Sequence, residues 1–233
     1  MGDDRWRNLA RTLRLPFHRR HAFARLARLH ARPRTLVEVV DESLDFKTRG
    51  HMKIKAAQVR SEILALAEAV RELKPRTILE LGTARGGTLL VWAHLASDRL
   101  ITCDLRIPSY RRELYRRYPP TGSRCRVECL EGNSHDPSFQ KRVRAALAGE
   151  PVDFLFIDGD HTEAGVTADW GDYRGLVRTG GLVAFHDIVE KQPFETTQVH
   201  KLWGEIRAEN GRATQELIAD PDQSGFGIGI VQV

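Results

Sequence analysis

The chain has 233 residues, enough for one α/β domain with a full core and a modest extension, and too few for two complete domains. Its 41% hydrophobic and 29% charged residues are ordinary for a globular protein, and no apolar run suits a membrane span or a secretory leader, so a cytoplasmic protein is expected. Ten arginines leave residues 1–34 at +8 and the other 199 at −3, so the net +5 belongs to an arm and no specific nucleic-acid partner is expected for the body.

Within that arm, residues 18–31 place Phe23, Leu26 and Leu29 at helical spacing with arginines between them. Two readings stand open: a contact to an anionic surface (lipid headgroups, nucleic acid or a phosphorylated glycan), or a solvated amphipathic helix. Pro33 ends the pattern, and a less regular stretch runs to Gly50. From Ala56 to Leu73 the positions Val59, Ile63, Leu64, Leu66, Ala67 and Val70 predict a helix packed on the sheet that follows.

After Pro75, strand-like runs at Thr77–Leu81, Leu100–Asp104, Arg126–Leu130, Val152–Ile157 and Leu182–Phe185 alternate with helix-like segments. Apolar strands each followed by a helix predict a parallel sheet covered on both faces, hence a doubly wound, Rossmann-like α/β fold of about seven strands. A helix from Thr196 to about Glu209 leads to Thr214–Ile218, a DPDQSG turn and Phe226–Val233. Strands joined by so short a turn are antiparallel. The expected division is a basic helical extension or lid over 1–55 and the α/β domain over 56–233. Cys103, Cys125 and Cys129 lack metal-ligand spacing and read as buried small hydrophobes.

The strand Thr77–Leu81 runs into ELGTARGGT, a glycine-rich turn onto a helix N-terminus, which permits positive φ and close approach of a ligand to the backbone. Asp104, 22 residues after Gly82, ends the next strand, where an acid suits a ribose diol. These features alone fit either an S-adenosylmethionine site or an NAD site. The antiparallel tail favours the first. So does Glu80, which suits the methionine ammonium directly or through water and would repel a pyrophosphate; so does the acid and histidine cluster on the later strands.

From about Gln58 onward, QVRSEI, ELGTARGGT, LEGNSHD, LFIDGDHTEAGVTADW, GGLVAFHD and GFGIGI together resemble class I S-adenosylmethionine-dependent O-methyltransferases of the cephalosporin hydroxylase-like and sugar O-methyltransferase group. The resemblance covers about three quarters of the chain. It implies a cofactor seated on Glu80, Gly82, Thr83 and Gly86, with Asp104 on the ribose and Gly132, Asn133, Ser134 and His135 framing the adenine. Asn133 and Ser134 also read as simple caps of the helix that begins at Pro137.

Asp158 and His161 follow one strand, and His186 and Asp187 its neighbour, so both groups are expected to face one crevice beyond the strand ends. Methyl transfer to a hydroxyl needs orientation of the nucleophile and removal of its proton. His161 is the candidate base, with Asp158 beside it as a catalytic acid residue. Asp158, His186 and Asp187 are candidate ligands for a divalent cation, either Mg²⁺ or a transition metal, by resemblance to metal-dependent relatives. An imidazole is a poor Mg²⁺ ligand, so His186 is left open as a second base or a hydrogen-bond partner.

The basic, aromatic stretch 106–126 reads as a buried Tyr115/Tyr118 stripe with solvated arginines, or else as a nucleotide-binding groove. Part of the acceptor pocket is expected near His51, Lys53 and Lys55. The function expected is O-methylation of a small polar acceptor. Two alternatives are kept: a non-catalytic protein of this fold held at a membrane or nucleic acid by its arm, and an NAD-linked oxidoreductase. Oligomeric state is not legible.

Overall fold

The computed structural model describes residues 3–233, with side chains described from Arg14 onward, so the start of the basic arm lies outside the described side chains. Helix α1 spans Asp3–Leu29, longer than the periodicity alone predicted, and α2 spans Leu36–Leu44 inside the stretch expected to be irregular. What forms α2 is a reciprocal cap: the Thr35 hydroxyl accepts from the Glu38 N–H, and the Glu38 carboxylate accepts from the Thr35 N–H. Several arm arginines tie the chain to itself. Arg25 donates two bonds of 2.8 and 2.7 Å to Glu42, and Arg32 and Arg34 pair with Glu38.

Helix α3 (Arg60–Leu73) precedes a regular alternation: β1 (Thr77–Leu81), α4 (Gly87–Leu95), β2 (Arg99–Asp104), α5 (Ser109–Tyr115), β3 (Arg126–Glu131), α6 (Pro137–Leu147), β4 (Val152–Ile157), α7 (Glu163–Tyr173) and β5 (Val177–His186). Helix α8 (Val199–Asn210) then leads to β6 (Thr214–Leu217) and β7 (Ile228–Gln232). The seven strands lie in the order β3-β2-β1-β4-β5-β7-β6, with β7 antiparallel to β5 and to β6 and the rest parallel. This is the doubly wound sheet with an antiparallel end that the alternation predicted. β5 starts five residues before its expected Leu182, because the Gly180–Gly181 step, with φ +75° at Gly180, is absorbed where the β4–β5 register shifts.

β1 is buried at every position, and α4 is almost wholly apolar, so both occupy the interior. One core cluster lies on the sheet face that receives α2, α3 and α4 and takes in Leu26 and Leu29 of α1; the other lies under α6, α7 and α8. Residues on both sides of the expected 55/56 boundary thus share one core. Tyr115 and Tyr118 are fully buried, their rings 5.2 Å apart, as the buried-stripe reading holds, and all three cysteines are free and buried. Among the described residues no helix is long and apolar enough to cross a membrane.

Candidate active site

The strand order reverses between β2-β1 on one side and β4-β5 on the other, and open α/β sheets bind ligands beyond the strand ends at such a reversal. A cavity of about 620 Å³ lies there, lined by Gly82, Asp104, Asn133, Ser134, His135, Asp158, His161, His186 and Asp187, among others. That volume is in the range of small-molecule sites.

The loop after β1 is shaped by two glycines. Gly82 has φ +97°, and a Cβ on it would fall 2.0 Å from the carbonyl oxygen of Asp158; only glycine lets the tips of β1 and β4 come this close. Gly86 (φ +69°) caps α4 and faces the Tyr115 ring, away from the cavity. Asp104 accepts from the Ala84 N–H (2.8 Å) and the Arg106 N–H (3.0 Å), which fixes its carboxylate at the cavity wall. Asn133 Oδ1 accepts from the His135 N–H, a local turn that presents Asn133, Ser134 and His135 to the same cavity.

Two of the expected cofactor residues, Glu80 and Thr83, lie behind the cavity wall. Glu80 is fully buried and does not line the cavity; its two oxygens accept from the hydroxyls of Thr88 (2.7 Å) and Thr102 (2.6 Å), so it braces the loop from behind. Burial raises its pKa to about 7, against the two hydroxyl bonds that hold it down. Thr83 also turns inward, its hydroxyl 2.5 Å from that of Thr102. The strand tip is buried on both faces, so acid and hydroxyls can only satisfy one another.

At the other end of the cavity four side chains meet. His161 Nδ1 lies 3.0 Å from Asp187 Oδ2, and its Nε2 lies 3.4 Å from Asp158 Oδ1. His186 Nδ1 shares that Asp158 oxygen at 3.0 Å. Asp158 and then Asp187 outweigh burial and raise the His161 pKa to about 10. For Asp158, burial alone would push the carboxyl up, but His186 and His161 pull it down to about 2. His186 is likewise raised: burial opposes its protonation, and the two carboxylates outweigh that cost. The cluster sets two imidazoles against two acidic side chains, and Asp187 holds its place in a left-handed conformation, φ +63°.

The expected metal site on Asp158, His186 and Asp187 meets a different arrangement. His161 and His186 contact the Asp158 and Asp187 carboxylates, and among the described residues no group of three or more His, Cys, Asp or Glu is disposed to hold a cation. The donor set does not fit a metal as it stands.

Three further contributors are not among the expected site residues, although Gln58, Asp169 and Phe226 fall in the motifs QVRSEI, LFIDGDHTEAGVTADW and GFGIGI. Gln58 donates to Asp158 Oδ2 at 3.1 Å, and its own Oε1 is buried without a partner. Asp169, almost completely buried, lies 3.2 Å from His135 Nε2, and burial raises its pKa to about 6. The third is a far wall made by Gln192, Pro193, Phe194, Thr197, Gly225 and Phe226. Of the segment expected to act as a lid, His51, Lys53 and Lys55 do not line the cavity; Ala57 does.

Residues 46–217 match the family model described as rhamnosyl O-methyltransferase/CmcI. No curated protein matches the chain. Among solved structures, it is similar to an O-methyltransferase from Bacillus cereus in complex with SAH, with TM-score 0.58 and 20% identity over 86% of this chain and 92% of that one. TomG from Streptomyces achromogenes, an O-methyltransferase involved in tomaymycin synthesis and solved with SAM, gives TM-score 0.56 and 16% identity over 87% and 92%. MycE, a methyltransferase of the mycinamycin pathway solved with Mg and SAH, gives 0.54 and 19% over 86% of this chain and 55% of MycE. At such identities the structural likeness establishes the fold.

Proposed function

The chain belongs to the rhamnosyl O-methyltransferase/CmcI family, and we propose that it transfers a methyl group from S-adenosylmethionine to a hydroxyl of a small acceptor of sugar or natural-product type, with His161 as the base. The observation that carries this reading is the position of the His161–Asp158–Asp187 cluster in the same cavity as Asp104 and Asn133. One ligand can then reach an acid suited to a ribose at one end and a proton acceptor at the other. The buried Oε1 of Gln58, without a partner beside Asp158, suits an ammonium donor.

Bound there, S-adenosylmethionine supplies an electrophilic methyl group on a sulfonium. Asp104 orients the adenosyl end, and Asn133, Ser134 and His135 border the base. Glu80 holds the loop in shape and places negative charge behind it. His161 takes the proton of the acceptor hydroxyl in its neutral form. Asp158 and Asp187 set the ring's orientation and stabilise the imidazolium that results, and a positive charge on the ligand opposes that imidazolium and moves the His161 pKa down from its value in the free site. Gln58 and His186 fix Asp158 from either side.

The deciding experiment incubates cell extract with the protein and isotopically labelled methyl donor and reads labelled products by mass spectrometry. A labelled O-methyl product that disappears with His161→Ala is expected. Tight binding of NADH with no binding of S-adenosylhomocysteine (SAH) by calorimetry is the result that would sink the reading.

A further inference from the structure

The structure joins two sequence motifs far apart in the chain, QVRSEI and GFGIGI, through a residue with no part in the chemistry above, Glu62. Glu62 of α3 is buried, and its carboxylate accepts from the N–H groups of Ala219 (3.0 Å) and Gly227 (3.0 Å) and from the Gln223 amide (2.8 Å). It clamps both ends of the β6–β7 turn. Within that turn Phe226 has φ +63°, a conformation rare for a bulky side chain, and its N–H donates to Asp187 Oδ1 at 3.1 Å. Backbone strain of this kind survives where the surroundings over-determine it, and it marks a side chain being held for use.

What is held is a phenyl ring at the cavity wall, 38% exposed and 5.9 Å from the His186 ring. On the neighbouring loop, joined to this one by the Gly225 N–H on the Lys191 carbonyl, Phe194, 69% exposed, lines the same cavity beside Pro193. The amide of Gln192 on the same wall is committed through its Nε2, which donates to the carbonyls of Asp187 and Val189. A polyhydroxylated sugar needs several polar partners for its hydroxyls. This wall offers two exposed aromatic rings from separate loops, which favour a flat apolar partner.

The geometry points to an acceptor whose reacting hydroxyl is carried on or beside a flat apolar ring, packed on the wall that Phe226 and Phe194 form, with Glu62 as the positioning residue behind Phe226. This rests on the methyltransferase reading and narrows its acceptor class. The test titrates SAH-loaded enzyme by calorimetry with 4-methylcatechol and with methyl α-L-rhamnopyranoside, and assays each for labelled methyl. The catechol is expected to bind at least about tenfold tighter and to take the label. Phe226→Ala and Phe194→Ala are each expected to weaken it by about tenfold with SAH affinity unchanged, while Phe226→Leu, which keeps apolar bulk in the turn, retains part of the binding. Tighter binding of the rhamnoside, alanine variants that bind catechol normally, or no binding of either probe beside normal SAH binding overturns the aromatic wall and leaves the methyltransferase reading standing. Failure to bind SAH overturns that reading instead.

Discussion

His161 sits between two carboxylates, and the nearer, Asp187, approaches its Nδ1 to 3.0 Å. With its pKa raised to about 10 from the ordinary 6.5, the ring holds its proton in the free site at neutral pH. The folded state therefore gains from this proton fully below pH 6.5 and loses the gain as pH rises through about 10. Asp158 runs the other way: lowered to about 2 from 3.8, it contributes above 3.8 and ceases to as pH falls through about 2. If neutral His161 is the base, turnover rises with pH along a limb whose midpoint lies above 6.5 and, with the donor's positive charge nearby, below about 10. His161→Ala is expected to remove that limb and lower turnover about 10²- to 10⁴-fold at unchanged SAH affinity. An alkaline limb that persists in the variant takes the base role away from His161.

Glu80 gives a second titration in an accessible range. Its pKa, raised to about 7 from 4.5 by burial, means that its stability contribution is complete below 4.5 and is lost as pH rises through about 7, when a buried charge is left on the carboxylate. A ligand ammonium in the adjoining cavity favours that charge, so SAH binding near pH 7 releases a proton, measurable as a calorimetric heat that varies with buffer ionisation enthalpy. Glu80→Gln is expected to bind SAH like the parent at pH 5.5 and about tenfold more weakly at pH 8.5. A ratio that does not change with pH would assign Glu80 a purely bracing role.

The sheet was legible because β1, β4 and the end of β5 are rich in large apolar residues, and their ends mark where Gly82, Asp158, His186 and Asp187 must cluster. Neighbouring parallel strands deliver their last residues to one edge whatever the loops do. The remainder depended on contacts far apart in the chain. Gln58 meets Asp158 across 100 residues, and Glu62 meets Gly227 across 165, so neither role leaves a local pattern. Glu62 in particular reads as an ordinary acid in the first turn of a helix. Helix α2 was within reach: Thr35 followed by Glu38 is a capping-box spacing, obscured by the shortness of the nine-residue helix that follows.

Metal dependence separates this cluster from a cation-assisted one. With His161 and His186 already on the carboxylates, exhaustive dialysis against a chelator is expected to leave turnover and the melting temperature unchanged. Asp187→Asn is then expected to act through His161, shifting the alkaline limb downward in pH because one of the two carboxylates that raise its pKa is gone. Loss of turnover on chelation, restored by a divalent cation, would show that the imidazoles yield their places to a metal.

Glu62 tests whether the aromatic wall is stored in the fold or made on binding. Its carboxylate satisfies two backbone N–H groups and one side-chain amide, and leaving the buried one, the Gly227 N–H, unpaired costs about 1–3 kcal/mol. Phe226 adds strain of about 1–3 kcal/mol that the clamp must hold in place. Glu62→Ala is therefore expected to lower the melting temperature by on the order of 10 °C. It also frees Phe226 to leave the left-handed region, weakening acceptor binding while SAH, at the other end of the cavity, binds as before. Glu62→Gln keeps one acceptor oxygen and turns an NH₂ against a backbone donor, so an intermediate melting temperature with partial rescue of acceptor affinity is expected. Equal loss of SAH and acceptor affinity in both variants would mean that Glu62 supports the fold as a whole and has no particular hold on Phe226.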